Sequence, residues 1–320
     1  MKKSVVVTLS IFLAASTLWA AKGKQKASYL EGTEEQGAAQ NSNTSGKGRV
    51  EEENALKASL KKVKKSAWSG SLGVFLYTPE KAYMNSTTIY WYPKISYKLN
   101  KKQSLALRPE IISSVAKGSR METYPDYLTF IFSDGRQFWK LGDMGFIQQF
   151  RYYLPTDERT LKRNVETPSG TLQVSSQTHQ FRYYLMGSQK LSPKWNLDVT
   201  LNPRYYLRLG KREYLNGVDW LRLIGEGRVT YSPSEKLSFY SALGTYQLYK
   251  YPGLIYDKKS GAYKEAATNS SNMYFDLGTG FSIQKVHVDL YVEHFQDVNT
   301  QFALFSPDAT YYNMYVSVPF

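Results

Sequence analysis

The sequence predicts an all-β chain: a transmembrane antiparallel up-and-down β-barrel of about twelve strands, preceded by a short helical or disordered N-terminal extension. Three observations predict it. Segments of about ten residues alternate apolar and polar side chains, the period of a strand whose two faces meet different surroundings. The connections alternate between tight polar turns and longer polar loops, as in a barrel standing across a membrane with unequal ends. The one long apolar run lies at the N-terminus, and a mean hydropathy of -0.46 is too polar for a bundle of membrane helices.

Taken in order, Met1-Lys2-Lys3, the apolar stretch from Ser4 to Trp19 and Ala20-Ala21 supply the charged, apolar and small-residue parts of a secretory signal peptide, assigned to residues 1–21. Residues 22–66 read as a flexible periplasmic extension. Its first part is rich in Gly, Ser, Asn, Gln and Glu and lacks periodicity. Leu56, Leu60 and Val63 then fall at helical spacing with acids first and lysines last, a short amphipathic helix that serves as a spacer, a plug or a membrane-surface element. The chain has no cysteine, which excludes disulfides, thiolate metal sites and a lipid-modified N-terminal cysteine.

Residues 67–320 carry the barrel. Strands are expected near 68–78, 87–99, 103–117, 124–133, 142–154, 173–187, 194–208, 218–232, 236–250, 271–284, 286–296 and 309–320. The clearest is 195–208, where Trp195, Leu197, Val199, Leu201, Tyr205 and Leu207 share one face and Asn196, Asp198, Thr200, Asn202, Arg204, Tyr206 and Arg208 the other. Between Ala116 and Gly145 the alternation falters around SDGRQFWKLGD. Pro109 and Pro203 stand inside strands of a sheet without edges, so each is expected to mark a bulge.

A repeat gives the barrel wall its sides. QFRYYLP at 149–155 returns as QFRYYLM at 180–186 and, shortened, as PRYYLRL at 203–209. Phe150, Tyr152, Leu154, Phe181, Tyr183, Leu185, Tyr205 and Leu207 are expected to face lipid; Arg151, Tyr153, Arg182, Tyr184, Arg204 and Tyr206 the lumen. Because neighbouring strands run in opposite directions, Arg182 is placed toward the periplasmic end and Arg151 and Arg204 toward the outside, as a staircase. Arg208, Arg222 and Arg228 extend this basic wall, and Glu110, Asp276, Asp289 and Glu293 point inward from other strands.

The chain ends in YYNMYVSVPF, with Tyr312, Met314, Val316, Val318 and Phe320 on one face. This ending resembles the terminal strand of Gram-negative outer-membrane β-barrel proteins, which commonly finish in Phe after alternating apolar residues. The resemblance implies insertion by the barrel-assembly machinery into the bacterial outer membrane. Its surroundings there are outer-membrane lipids and lipopolysaccharide.

A basic, Tyr-lined lumen points to a porin-like passive diffusion channel favouring small anionic or sugar-like solutes. The twelve-stranded acidic-sugar porins are similar in architecture. A plugged structural or surface-interaction barrel, in which Arg and acid side chains pair across the interior, is the alternative; a lipid-modifying enzyme is the third reading. Against the enzyme, none of His179, His287 and His294 has an evident nucleophile beside it in the sequence. No paired-His spacing suggests a metal and no cofactor motif is present. The formal net charge of +14 comes without base-reading or phosphate-cradling motifs, so nucleic acid is not expected as a partner.

Overall fold

The computed structural model describes residues 67–79, 87–114, 121–157, 161–175, 177–298, 306 and 309–320. The signal peptide (1–21) and the N-terminal extension (22–66) expected from the sequence lie outside these residues. Sixteen strands follow in chain order: β1 Trp68–Pro79, β2 Thr88–Lys98, β3 Gln103–Ser114, β4 Glu122–Leu141, β5 Met144–Pro155, β6 Lys162–Thr167, β7 Gly170–Ser175, β8 Gln177–Lys190, β9 Trp195–Leu209, β10 Asp219–Ser234, β11 Leu237–Lys250, β12 Leu254–Asp257, β13 Ala262–Glu265, β14 Asn269–Ile283, β15 Val286–Asp297 and β16 Thr310–Pro319. Twelve of them close a barrel in the order β1-β2-β3-β4-β5-β8-β9-β10-β11-β14-β15-β16, every neighbour antiparallel, with β16 returning to β1.

Closure leaves no edge for unpaired backbone groups, which is what a sheet inside hydrocarbon requires. Turns of two to four residues join β2 to β3, β4 to β5, β8 to β9, β10 to β11 and β14 to β15, all at one end. At the other end the connections are longer. Two of these, expected as long polar connections, carry the small hairpins β6–β7 and β12–β13; β7 takes up residues 173–175 of the strand expected at 173–187, and the barrel strand β8 begins at Gln177.

The faltering stretch is part of a strand. β4 runs through SDGRQFWKL, and its pairing with β5 shifts between Asp134 and Trp139, where five positions of β4 are taken up against two of β5. The surplus forms a bulge. Asp134, buried at 2% exposure, accepts from Arg136 Nε and Nη2 and from Gln103 Nε2 at 2.5–3.1 Å. Pro109 does stand at a register shift, between β3 and β4. Pro203 does not: Arg182 pairs Arg204 and Leu185 pairs Leu201 in unbroken register on either side of it. There the missing N–H interrupts the ladder without displacing it, because the expected bulge is needed only where an extra residue must be absorbed.

The barrel is inside out relative to a soluble protein. Phe130, Phe150, Phe181, Tyr205, Leu243 and Leu277 on the outer face are 42–46% exposed, whereas the inward Phe75, Tyr153, Tyr184, Tyr206 and Tyr274 are 0–2% exposed. Inward positions near the short turns are small and polar, among them Ser96, Ser104, Ser133, Ser188, Asn196 and Thr230, and none of these is fully buried. Aromatic and arginine side chains fill the middle belt, with one cluster built from Phe75, Tyr77, Tyr90, Tyr92, Ile112 and Tyr315.

The closing strand presents Tyr312, at 43% exposure, with Met314, Val316 and Val318 to the outside and buries Asn313, Tyr315 and Ser317. Phe320 sits beyond it at 77% exposure, its N–H and C=O paired with Gly70 at 2.9 and 3.0 Å and its ring lying over that glycine. So exposed a ring adds little burial energy. Phe320→Ala is therefore expected to leave the thermal midpoint of folded protein within about 2 °C while lowering the folded fraction recovered from membranes, read as heat-modifiable migration on gels. An unchanged yield would remove the assembly role of the C-terminal face.

Candidate lumen site

Four arginines stand side by side. Arg151 pairs in register with Arg182, Arg182 with Arg204, and Arg204 with Arg222, so a single line of hydrogen-bonded partners crosses β5, β8, β9 and β10. All four are 0–8% exposed. This corrects the expected staircase with alternating depths. Arg151 lies four residues before the end of β5 and Arg182 five after the start of β8, both measured from the loop between them, so antiparallel pairing sets them side by side on one line across the strands.

The repeat also explains how like charges are accommodated. Two residues before each of the first three arginines, on the same face, stands an amide: Gln149, Gln180 and Asn202. Arg151 Nε donates to Gln149 Oε1 at 2.5 Å, and Arg182 Nε and Nη2 donate to Gln180 Oε1 at 3.0 and 2.5 Å. With the Asn202 amide oxygen turned toward it, Arg204 donates from Nη2 and Nε at 3.0 and 3.1 Å. Tyrosines cover the guanidinium faces: Arg182 lies 3.8 Å from the Tyr153 ring centroid, Arg151 4.4 Å from Tyr184, and Arg222 5.0 Å from Tyr206. Each such stack contributes about 0.5–2 kcal/mol. Gln180→Leu keeps the volume but removes the acceptor for two N–H groups of a buried arginine. A loss of about 2 kcal/mol is expected, measurable by urea titration of the refolded protein; no loss would mean that the amide is dispensable.

Carboxylates occupy the rest of the belt. Glu110 accepts from Arg108 Nη2 at 2.5 Å and from Thr129 Oγ1 at 2.8 Å; Arg228 Nε lies 3.4 Å from Glu226 Oε1. Asp276 and Glu293 pair in register and are 0% and 1% exposed; Asp289 is 6% exposed. Arg208, half-buried, donates to Asp219 Oδ1 at 3.1 Å and to Thr178 Oγ1 at 2.8 Å, and Arg222 Nε donates to Asp219 Oδ2 at 2.6 Å. Sequence reasoning missed Arg108 and Glu226, each two residues from a charge it named. Their presence means that the two signs are interleaved on β3 and β10 rather than held on separate strands.

Small residues let strands that are not neighbours touch. Gly244 separates Glu226 on β10 from Tyr274 on β14, and the Tyr274 hydroxyl passes over it to donate to Glu226 Oε2. A Cβ at 244 would fall within the Tyr274 ring. Gly278 gives the same clearance to Tyr240 and Tyr291, whose centroids are 6.3 Å apart.

The histidines are engaged in local bonds. His179 Nδ1 lies 2.7 Å from the Tyr152 hydroxyl and His294 Nε2 3.3 Å from Gln296 Oε1. His287, which has an acidic neighbour but no evident nucleophile beside it in the sequence, has Ser282 Oγ 2.9 Å from Nδ1 and Asp289 Oδ2 3.1 Å from Nε2. The Ser282 N–H is already spent on Lys236 O at 2.9 Å, and the strands on either side are paired. Ser282, His287 and Asp289 thus form a hydrogen-bonded chain near the tight turn between β14 and β15. No cluster of three metal-ligating side chains occurs among the described residues.

A closed antiparallel barrel of twelve strands, apolar outside, polar inside, with short turns at one end and long loops at the other, defines the fold of an outer-membrane β-barrel. No protein-family model matches the chain, and no curated protein sequence does. Among solved structures, the KdgM porin in complex with disordered oligogalacturonate aligns over 78% of this chain and 99% of its own at 11% identity, TM-score 0.41. The COG4313 outer-membrane channel from Pseudomonas putida F1 aligns over 82% and 100% at 11% identity, TM-score 0.47. The translocator domain of the autotransporter NalP from Neisseria meningitidis aligns over 90% and 97% at 12% identity, TM-score 0.42. Likeness at that level assigns no particular protein, and the class rests on the chain's own pairing and surface.

Proposed function

We propose that this protein is a passive outer-membrane channel favouring small anionic or sugar-like solutes, with residues 22–66 as a periplasmic extension. The observation that carries the reading is the register line Arg151-Arg182-Arg204-Arg222, backed by Tyr153, Tyr184 and Tyr206. Aligned guanidinium groups lower the energy of an anion along the whole line, whereas charges at alternating depths would hold it at isolated points. The tyrosine rings offer flat surfaces on which a sugar ring can stack. The test is the reversal potential of refolded protein in planar bilayers under a salt gradient, where anion preference is expected and cation preference would end the reading.

One observation favours a second reading. Arg204 and Asp276, at the centre of the belt, are each 0% exposed, which suits a filled barrel braced by its own charges. Well-folded protein that never conducts would decide for that alternative.

A further inference from the structure

A convex wall has no groove, yet the outer face of this barrel has one of about 990 Å³, lined almost wholly by apolar side chains of β1 to β5 and β8 to β10. It follows the line Ile95-Leu107-Phe130-Tyr152-Phe181-Tyr205-Leu221, each residue the register partner of the next. The line begins three residues from the short-turn end of β2 and finishes two residues from the long-loop end of β10, so the groove climbs diagonally across the wall.

The lower end of the groove carries two further marks. Trp68 and Tyr97 meet there with ring centroids 4.8 Å apart, amphipathic rings at the level where strand meets turn. Along the short-turn rim from β2 to β11, Lys98, Lys101, Lys102, Lys140, Lys190, Lys194 and Lys236 are exposed, against two exposed acids, Asp143 and Glu235. An apolar trough ending in interfacial aromatics beneath a lysine rim matches a molecule with long acyl chains and an anionic head. We propose that the groove binds an anionic diacyl glycerophospholipid of the leaflet on the short-turn side, its chains in the trough and its phosphate on the lysines. The inference rests on the membrane-spanning fold and does not depend on whether solute passes through the lumen.

Native mass spectrometry of the full chain in detergent, supplemented with phosphatidylglycerol, phosphatidylcholine or lipid A, tests it. Phosphatidylglycerol should be retained about tenfold better than phosphatidylcholine. Lys98→Glu, Lys101→Glu and Lys102→Glu together should abolish that preference while barrel circular dichroism and heat-modifiable migration stay unchanged. Leu107→Trp, an outward substitution that fills the trough, should reduce retention of both phospholipids. Equal retention of the two phospholipids in the parent protein would overturn the proposal, as would preference for lipid A. A dimer that dissociates with Leu107→Trp would instead assign the groove to a second copy.

Discussion

Arg204→Glu combined with Arg208→Glu should shift the reversal potential of residues 22–320 from the anion side to the cation side, the largest functional change expected of any pair. Arg204 lies inside the register line and Arg208 four residues further toward the long-loop mouth on the same face. Reversing both alters the charge on this wall by four units along one path, and the field of a lumen is set by such sums. Folding is affected as well: Arg204 is 0% exposed and accommodated by the Asn202 amide. Glu at 204 gives up the bonds from Arg204 to Asn202 but stands between Arg182 and Arg222, and urea unfolding of the refolded variant measures that balance.

A milder variant therefore accompanies the double one. Arg182→Gln removes a single charge while keeping a polar side chain beside Gln180. It should weaken anion preference without inverting it. If the milder variant folds and conducts with unchanged selectivity, the arginine line does not set the preference. If the parent protein folds and passes no current, the belt is a brace and the interleaved pairs Arg108–Glu110 and Arg228–Glu226 are its fastenings.

The faces of the strands were legible because each is divided between lipid and interior, and a period of two holds wherever no bulge intervenes. Neighbours were less legible. Whether Arg182 stands beside Arg151 depends on how many residues each strand spends before its loop, and alternation carries no information on that offset. The Ser282–His287 pairing was countable in principle, since the two residues are equidistant from the tight turn Gln284-Lys285, where Gln284 takes φ 55°. The missing step was to fold the hairpin about its turn. The amides of the QFR and NPR repeats were visible as letters, but their role follows only when the arginine two residues on is placed on the same face.

Gly244→Val should be the most destabilising single substitution in the lumen. Its Cβ would occupy the space of the Tyr274 ring, and Tyr274 is 2% exposed with Phe295 and Tyr246 against it, centroids of the latter two 5.4 Å apart. The ring has nowhere to go. Overpacking of this kind costs about 1–3 kcal/mol, and loss of the Tyr274 hydroxyl from the buried Glu226 adds about 1–3 kcal/mol. A total near 4 kcal/mol is expected in urea unfolding. The partner variant separates the two contributions: Tyr274→Phe keeps the ring and deletes only the hydroxyl, so its loss should be about half as large. In the double variant Gly244→Val with Tyr274→Ala the steric conflict is gone, and stability should exceed that of Gly244→Val alone. Should the double variant be the sum of the two single losses instead, the glycine is not there to let β10 and β14 meet, and the rule that small residues bridge strands two apart in this barrel fails with it.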